Sequence, residues 1–186
     1  MNSWHVAVLI PARNEEELLP RCLQSVIDAC SALPADITTD VIVVSDRSTD
    51  QTLKVATQLL GDRGVAFEVG FSCVGMARLV AAAVALRRCQ SPPKWCWLAN
   101  TDADCEVPPD WLADQLLFAN KGAAAVAGTI AVDSFTEHQP QVAELFREAY
   151  LIHADGTHPH VHGANLGIRA DAYLDAGGWE IGRAHV

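Results

Sequence analysis

"WLANTDADCEVPPDWL", Trp97 to Leu112, places two carboxylates one residue apart directly behind an apolar run. The run at 95–99 reads as a strand. Pro108-Pro109-Asp110 reads as a helix start, with Pro109 at the favoured first position and Leu112, Leu116 and Ala119 on one side. In an extended turn, residues two apart point the same way, so Asp102 and Asp104 form a chelating pair. Hard carboxylate oxygens suit Mg²⁺ or Mn²⁺, ions that also bridge diphosphate oxygens. Aspartates are equally ordinary in turns and caps, so the pair gains its meaning only from its surroundings.

Those surroundings alternate between strand and helix. Residues 6–10 (VAVLI) and 41–44 (VIVV) are continuous apolar runs of the kind expected in a sheet covered on both faces. After the first run, Leu19, Leu23 and Val26 have helical spacing. Asn14 with Glu17 has capping form, and Pro20 marks where the helix proper begins. After the second, Ser48-Thr49-Asp50-Gln51 has capping-box form, and Leu53, Ala56 and Leu60 make a stripe. A short strand at 65–69 follows. The Ala-rich helix at 76–88 is apolar on most faces and is expected to be buried. A strand at 123–132 containing Gly128 and a helix at 141–153 complete the series. This order implies an α/β fold with a mostly parallel, Rossmann-like sheet and helices on both faces. Ligands in such sheets collect at the carboxyl ends of the strands. Arg13, Asn14 and Glu15, then Asp46, Ser48, Thr49 and Asp50, then Asn100, Asp102 and Asp104 gather at three of those ends.

The totals narrow the class. The 186 residues suffice for one domain with a real core, and half of them are apolar. A net charge of −10 argues against nonspecific binding to nucleic acid or to an anionic membrane surface. An anionic small substrate stays compatible, because a bound cation inverts the local field. The six cysteines form no CxxC pair and read as buried free thiols in a reducing compartment. No secretory leader is visible, and the longest apolar run, 79–86, is too short to span a bilayer. A cytoplasmic domain is the expectation. Peripheral membrane contact through a missing segment is compatible with it.

Four stretches, "VLIPARNEEELLPRCLQSV", "VIVVSDRSTDQT", "WLANTDADCEVPPDWL" and "HGANLGIRADAYLDAGGW", occur in this order and together resemble the family 2 glycosyltransferases. The resemblance covers nearly the whole chain. It implies the GT-A fold and transfer of a sugar, usually with inversion, from a nucleotide-diphosphate donor to an acceptor hydroxyl. The donor would carry UDP or GDP, with Mg²⁺ or Mn²⁺ as cofactor. It also implies one domain over 1–186, nucleotide-binding at 1–105 and acceptor-side at 106–186. Pro11, Ala12, Asn14 and Glu15 match the loop lining base and ribose. Asp46 matches a base-contacting acid, with Ser45 replacing the acid before it. Arg78 matches a polar position facing the donor. Among the carboxylates, Asp104 matches the metal ligand and Asp102 the donor's sugar or ribose contact. His158, His160 and His162 share one face if extended, and His162 is the best match to a late metal-ligating histidine. Asn165, Arg169 and Trp179 fall on the acceptor side, Trp179 in a Gly-Gly-aromatic turn.

The resemblance weakens at the end. In the family the acceptor's base is an acid a short way beyond that aromatic turn. Glu180 is the last acidic residue here and the remaining candidate. The chain is therefore expected to be truncated. Two other readings stay open: a nucleotide-sugar binding module without turnover, and a nucleotidyltransferase. The latter usually needs a Gly-rich basic phosphate loop, whereas "PARNEEELL" is acidic.

Overall fold

The computed structural model describes residues 3–132 and 140–179. Six strands form one sheet in the order β3-β2-β1-β4-β6-β5. They are β1 (His5–Ala12), β2 (Thr38–Asp46), β3 (Gly64–Val69), β4 (Cys96–Asn100), β5 (Ala125–Ala127) and β6 (Leu166–Arg169). β1 to β4 run parallel, while β6 is antiparallel to both β4 and β5. The helices are α1 (Leu19–Ser31), α2 (Thr52–Leu60), α3 (Val74–Arg88), α4 (Trp111–Asn120), α5 (Pro140–Ala149) and α6 (Ala170–Asp175). This is the α/β, mostly parallel GT-A arrangement expected.

Strand alternation divides the core in two. Val6, Val8 and Ile10 of β1, Val41 and Val43 of β2, and Trp97 and Ala99 of β4 face α1, α2 and α4. Ala7, Leu9, Ile42, Val44, Cys96 and Leu98 face α3 and α6. β1 lies between two parallel partners, and all eight of its residues are buried.

Several elements depart from expectation. α4 begins at Trp111, because Pro108, Pro109 and Asp110 form a turn in which the Trp111 amide donates to the Pro108 carbonyl at 3.0 Å. Pro109 thus stands ahead of the helix. Neither expected cap forms. Asn14 takes a left-handed backbone (φ 55°) and its Oδ1 accepts from the Thr49 amide at 2.8 Å, away from α1. Ser48 Oγ accepts from the Asn14 amide at 3.2 Å, while Asp50 receives the Thr52 amide at 3.0 Å at the head of α2. The two loops thereby cap each other. α3 buries only its alanine face, Ala77, Ala81, Ala82 and Ala85, and Val74 is exposed. The strand expected at 123–132 shrinks to three residues, and α5 ends at Ala149. The unexpected β6 slots between β4 and β5, and α6 follows it. All six cysteines are free, with Cys22 and Cys96 buried and the others partly so.

β6 depends on one glycine. Gly167 pairs with Ala99 across the sheet. A Cβ there would stand within 2.5 Å of Trp97 Nε1 and closer still to Gln115 Oε1. Those two groups are buried and bonded to each other at 2.7 Å. Gly167→Ala should break that bond or push β6 away, costing about 2–4 kcal/mol in a urea unfolding curve. A loss under ~0.5 kcal/mol would show that β6 is not packed this way.

At the far end of the sheet, Arg88 grips the buried Asp40 with two bonds, of 2.5 and 3.0 Å. His5 sits beside them, its Nδ1 2.8 Å from Thr38 Oγ1. Burial holds its pKa below the ordinary value, Asp40 opposing and Arg88 assisting. The unfolded chain then takes up this proton more readily than the folded one. His5's contribution should be complete above its ordinary pKa of about 6.5 and decline as pH falls below that value. Melting temperatures from pH 8 to 5 should show a steeper acid-side decline than in His5→Asn, and parallel curves would refute it.

Candidate active site

The strand order turns outward on both sides of β1, so the loops leaving β1 and β4 diverge and open a crevice between them. A cavity of about 400 Å³ lies there. β1 contributes Pro11, Ala12, Arg13 and Glu15, and β2 contributes Asp46. The head of α3 supplies Ser72, Cys73, Val74, Ala77 and Arg78, and β4 supplies Asp102, Ala103 and Asp104.

Each group has a local reason for its place. Ala103 is buried against the α1 side of the core, so the alternating backbone turns Asp102 and Asp104 the other way. The Thr101 amide donates to the Leu9 carbonyl at 3.2 Å, tying the β4 exit to β1. The Cys22 thiol donates to the Asp102 carbonyl at 3.3 Å and the Cys105 thiol to Asp104 Oδ1 at 3.4 Å. Burial first, and then the surrounding acidic groups, push both thiols up to about 12, so they act as weak donors rather than as thiolates. The Glu15 amide donates to Thr52 Oγ1 at 2.8 Å, fixing the β1 exit to α2.

Asp46 is used in a way the sequence does not reveal. Its Oδ1 accepts the amides of Phe71 and Ser72, both at 2.8 Å, and its Oδ2 accepts that of Cys73 at 2.7 Å. The buried carboxylate clamps the loop into α3, with Ser72 left-handed (φ 54°). It forms part of the cavity wall, but three of its acceptor positions are already taken.

The cavity is acidic. Burial, then Asp104, Asp50 and Asp102, raise the pKa of Glu15. Burial also raises that of Asp102, with Arg78 opposing and Asp104 assisting. Arg78 is bonded to Asp102. Asp104 is exposed, with only the Cys105 thiol on its carboxylate among the bonds described. No group of three His, Cys, Asp or Glu close enough to enclose an ion occurs among the described residues. The oxygen donors suit a hard divalent cation whose remaining positions would be filled by a ligand's oxygens or water.

Of the expected donor residues, Pro11, Ala12, Glu15, Asp46, Arg78 and Asp102 line the cavity, together with the expected metal ligand Asp104. Asn14 does not. It is committed to the Thr49 loop and borders a neighbouring depression. His162 is also outside the lining. It belongs to a stack in which Tyr150 lies 4.5 Å from His160 and 5.7 Å from His162. The three imidazoles do share a face, but their rings stack instead of converging their nitrogens. Burial, then His160 and His158, lower the His162 pKa and favour its neutral form.

The acceptor-side expectations meet a different arrangement. Asn165 Oδ1 accepts from Trp111 Nε1 at 2.8 Å, and its Nδ2 donates to the Thr129 carbonyl at 2.8 Å. The side chain is a bolt between α4 and the segment after β5. Arg169 pairs in register with Trp97, three residues back from the β4 exit, and bonds Asp171 at 2.6 Å. Trp179 packs edge-on to Tyr173, 6.4 Å between centroids, on the α3 and α6 face. None of the three reaches the cavity wall. Glu180 lies outside the described residues. Arg13, Ser72, Cys73 and Val74 line the cavity without having been assigned a role from sequence. Only Arg13 had a visible signal, its place at a strand exit.

The profile described as Glycosyl transferase family 2 matches residues 7–176, and the chain belongs to that family. No curated protein sequence matches it. Among solved structures it resembles S. aureus TarS 1-349 at 17% identity and TM-score 0.65, covering 97% of this chain and 52% of that one. It also resembles the Pyrobaculum calidifontis mannosyltransferase PcManGT in complex with GDP-Man and Mn2+, at 21% identity and TM-score 0.63, covering 93% and 46%. A third is glucosyl-3-phosphoglycerate synthase from Mycobacterium tuberculosis in complex with Mn2+ and UDP-glucose, at 22% identity and TM-score 0.55, covering 90% and 57%. The chain spans about half the length of these structures, which share its fold.

Asp46→Asn tests the clamp. It replaces one acceptor oxygen with an amide NH2 that faces a backbone N–H. A stability loss of about 1–3 kcal/mol is expected by urea unfolding, without any ligand present. Unchanged stability would mean that the loop does not depend on Asp46.

Proposed function

We propose that the cavity binds a nucleotide-diphosphate sugar and that the chain serves its transfer to an acceptor hydroxyl, with inversion at the anomeric carbon and with Mg²⁺ or Mn²⁺ bound. The observation that carries this reading is the gathering of Glu15, Asp102 and Asp104 at the divergence of β1 and β4, opposed by the Arg78 cation. A wall with more carboxylates than Arg78 can offset favours a divalent cation beside it, one that a ligand's oxygens help to hold. The donors bound by the structural neighbours, GDP-Man and UDP-glucose with Mn2+, support the same choice.

The roles follow from position. Asp104 is the metal ligand, because its carboxylate is exposed and takes only a weak thiol bond among those described. Asp102 is held by Arg78 and faces the donor's sugar or ribose. Pro11 and Ala12 frame the base, in a loop fastened by Glu15 and Thr52. Asp46 shapes the base's wall through the loop at 71–73. The metal, when bound, neutralises the charge that develops on the diphosphate leaving group. The acceptor oxygen displaces that group at the anomeric carbon and gives up its proton to a base. A nucleotidyltransferase reading is less well supported, since the loop after β1 is acidic, "PARNEEELL", where a glycine-rich basic phosphate loop would be needed.

Calorimetry with UDP and GDP, with Mn²⁺ or with chelator, is the test. Binding should require the metal. Asp104→Ala should lose tenfold or more in affinity, from a charge-assisted contact of about 1.5–3 kcal/mol. Wild-type affinity in a folded Asp104→Ala would sink the assignment. A pH series adds a second check. The raised values of Asp102 and Glu15 mean that the wall around Asp104 loses negative charge earlier than ordinary carboxyls would, so metal-supported affinity should fall on acidification before pH reaches the usual carboxylate range. A flat profile to pH 4 would contradict it.

A further inference from the structure

Gly163 opens the 3-10 turn Gly163–Asn165 that leads into β6. A Cβ on it would stand 2.7 Å from both Cζ and Nη2 of Arg78 and 3.0 Å from Nη1. The guanidinium therefore occupies the space that a side chain at 163 would need. The same guanidinium is bonded to Asp102. Its side chain is only 11% exposed, and its Nε is buried without a partner. An arginine rooted in the second turn of α3 is thus held between the metal-side loop and bare backbone of the segment before β6.

We propose that Gly163 is a positioning residue of the donor site: the missing side chain at 163 is what lets Arg78 lie against Asp102. The proposal rests on the glycosyl-transfer reading for its consequence and on the Arg78 contact for its geometry. Gly163 has no left-handed φ, so alanine fits its backbone. What must yield is the far end of a flexible side chain, and that end carries the charge. A displaced guanidinium leaves Asp102 beside Asp104 without its counter-charge. The turn before β6 therefore sets the electrostatics of a pair that belongs to β4, 60 residues earlier in the chain. His162, directly before Gly163, is anchored in the Tyr150 stack, so this turn is held from its other side as well.

A mutant cycle over G163A, R78A and G163A/R78A separates this role from general damage. With UDP or GDP and Mn²⁺, G163A should weaken binding roughly tenfold when Arg78 is present and less than twofold in the R78A background. Equal losses in both backgrounds, or no loss with Arg78 present, would overturn the proposal. A melting cycle without ligand reads the contact alone: G163A should lower the melting temperature only when Arg78 is present. Additive losses there would refute the contact. If G163A does not fold, recovery of a folded G163A/R78A supports the clash with Arg78, and failure of both refutes it. If the unsubstituted chain binds neither nucleotide, the donor reading falls and takes the proposed positioning role with it, and the melting cycle then decides the contact by itself.

Discussion

The structure depends on β1 being locked between two parallel neighbours. Its register pairs Ala12 with Ser45 on one side and Leu9 with Asn100 on the other. All eight residues of the strand are buried, so a shift of one position would exchange the inward sets of both core layers. Fixed register brings the exits of β1, β2 and β4 to one edge of the sheet. The polar groups at those exits then meet because the hydrophobic core leaves them no other arrangement. The loops add mutual bonds, Asn14 to Thr49 and Glu15 to Thr52, that hold the edge without a helix cap of the usual kind.

The parallel half of the sheet was readable from sequence because its strands are apolar on both faces, and such runs leave little choice of partner layer. The half beyond β4 was not. β6 has four residues, two of which are glycine and arginine, and carries no apolar run. It exists because Asn100 Nδ2 donates to the Leu166 carbonyl at 3.0 Å and because Gly167 leaves room for Trp97 and Gln115. Both causes are contacts across more than 50 residues, which no local pattern encodes. The site divides the same way. Asp102, Asp104 and Glu15 were legible from their position at strand exits. Asp46 was legible as a site residue, but its clamp on 71–73 needs a loop geometry that only the fold supplies. Asn165 was expected on the acceptor side by resemblance alone. Its amide is instead spent on Trp111 and Thr129.

On the proposed reading, electrostatics explains how an acidic wall would accept an anionic donor. The cavity wall holds Glu15, Asp46, Asp102 and Asp104 against Arg13 and Arg78. Asp46 is satisfied by amides and Asp102 by Arg78, which leaves Glu15 and Asp104 as the uncompensated charges. A diphosphate entering such a wall alone would be repelled. A diphosphate entering with a divalent cation brings the missing charge with it. On that reading the acidic wall would select for the metal complex over the free nucleotide, a discrimination that a lysine-rich phosphate loop would not make.

The clamp at Asp46 sharpens that point. In dinucleotide-binding sheets the helix after a strand offers free amides and a positive dipole end to a pyrophosphate. Here the head of α3 faces the cavity in the same general way, but a buried carboxylate from β2 holds the amides of residues 71, 72 and 73 directly ahead of the helix. The helix's own first amides, those of residues 74–76, thus open beside a fixed negative charge that opposes a second anion. On the proposed reading, phosphate charge is met elsewhere in the crevice, and the carboxylates at the β4 exit could meet it only through a cation. On that reading, an internal anion ahead of α3 and a cation held at Asp104 would be two sides of one electrostatic arrangement: the first weakens the direct route to phosphate, and the second would supply a metal-mediated one.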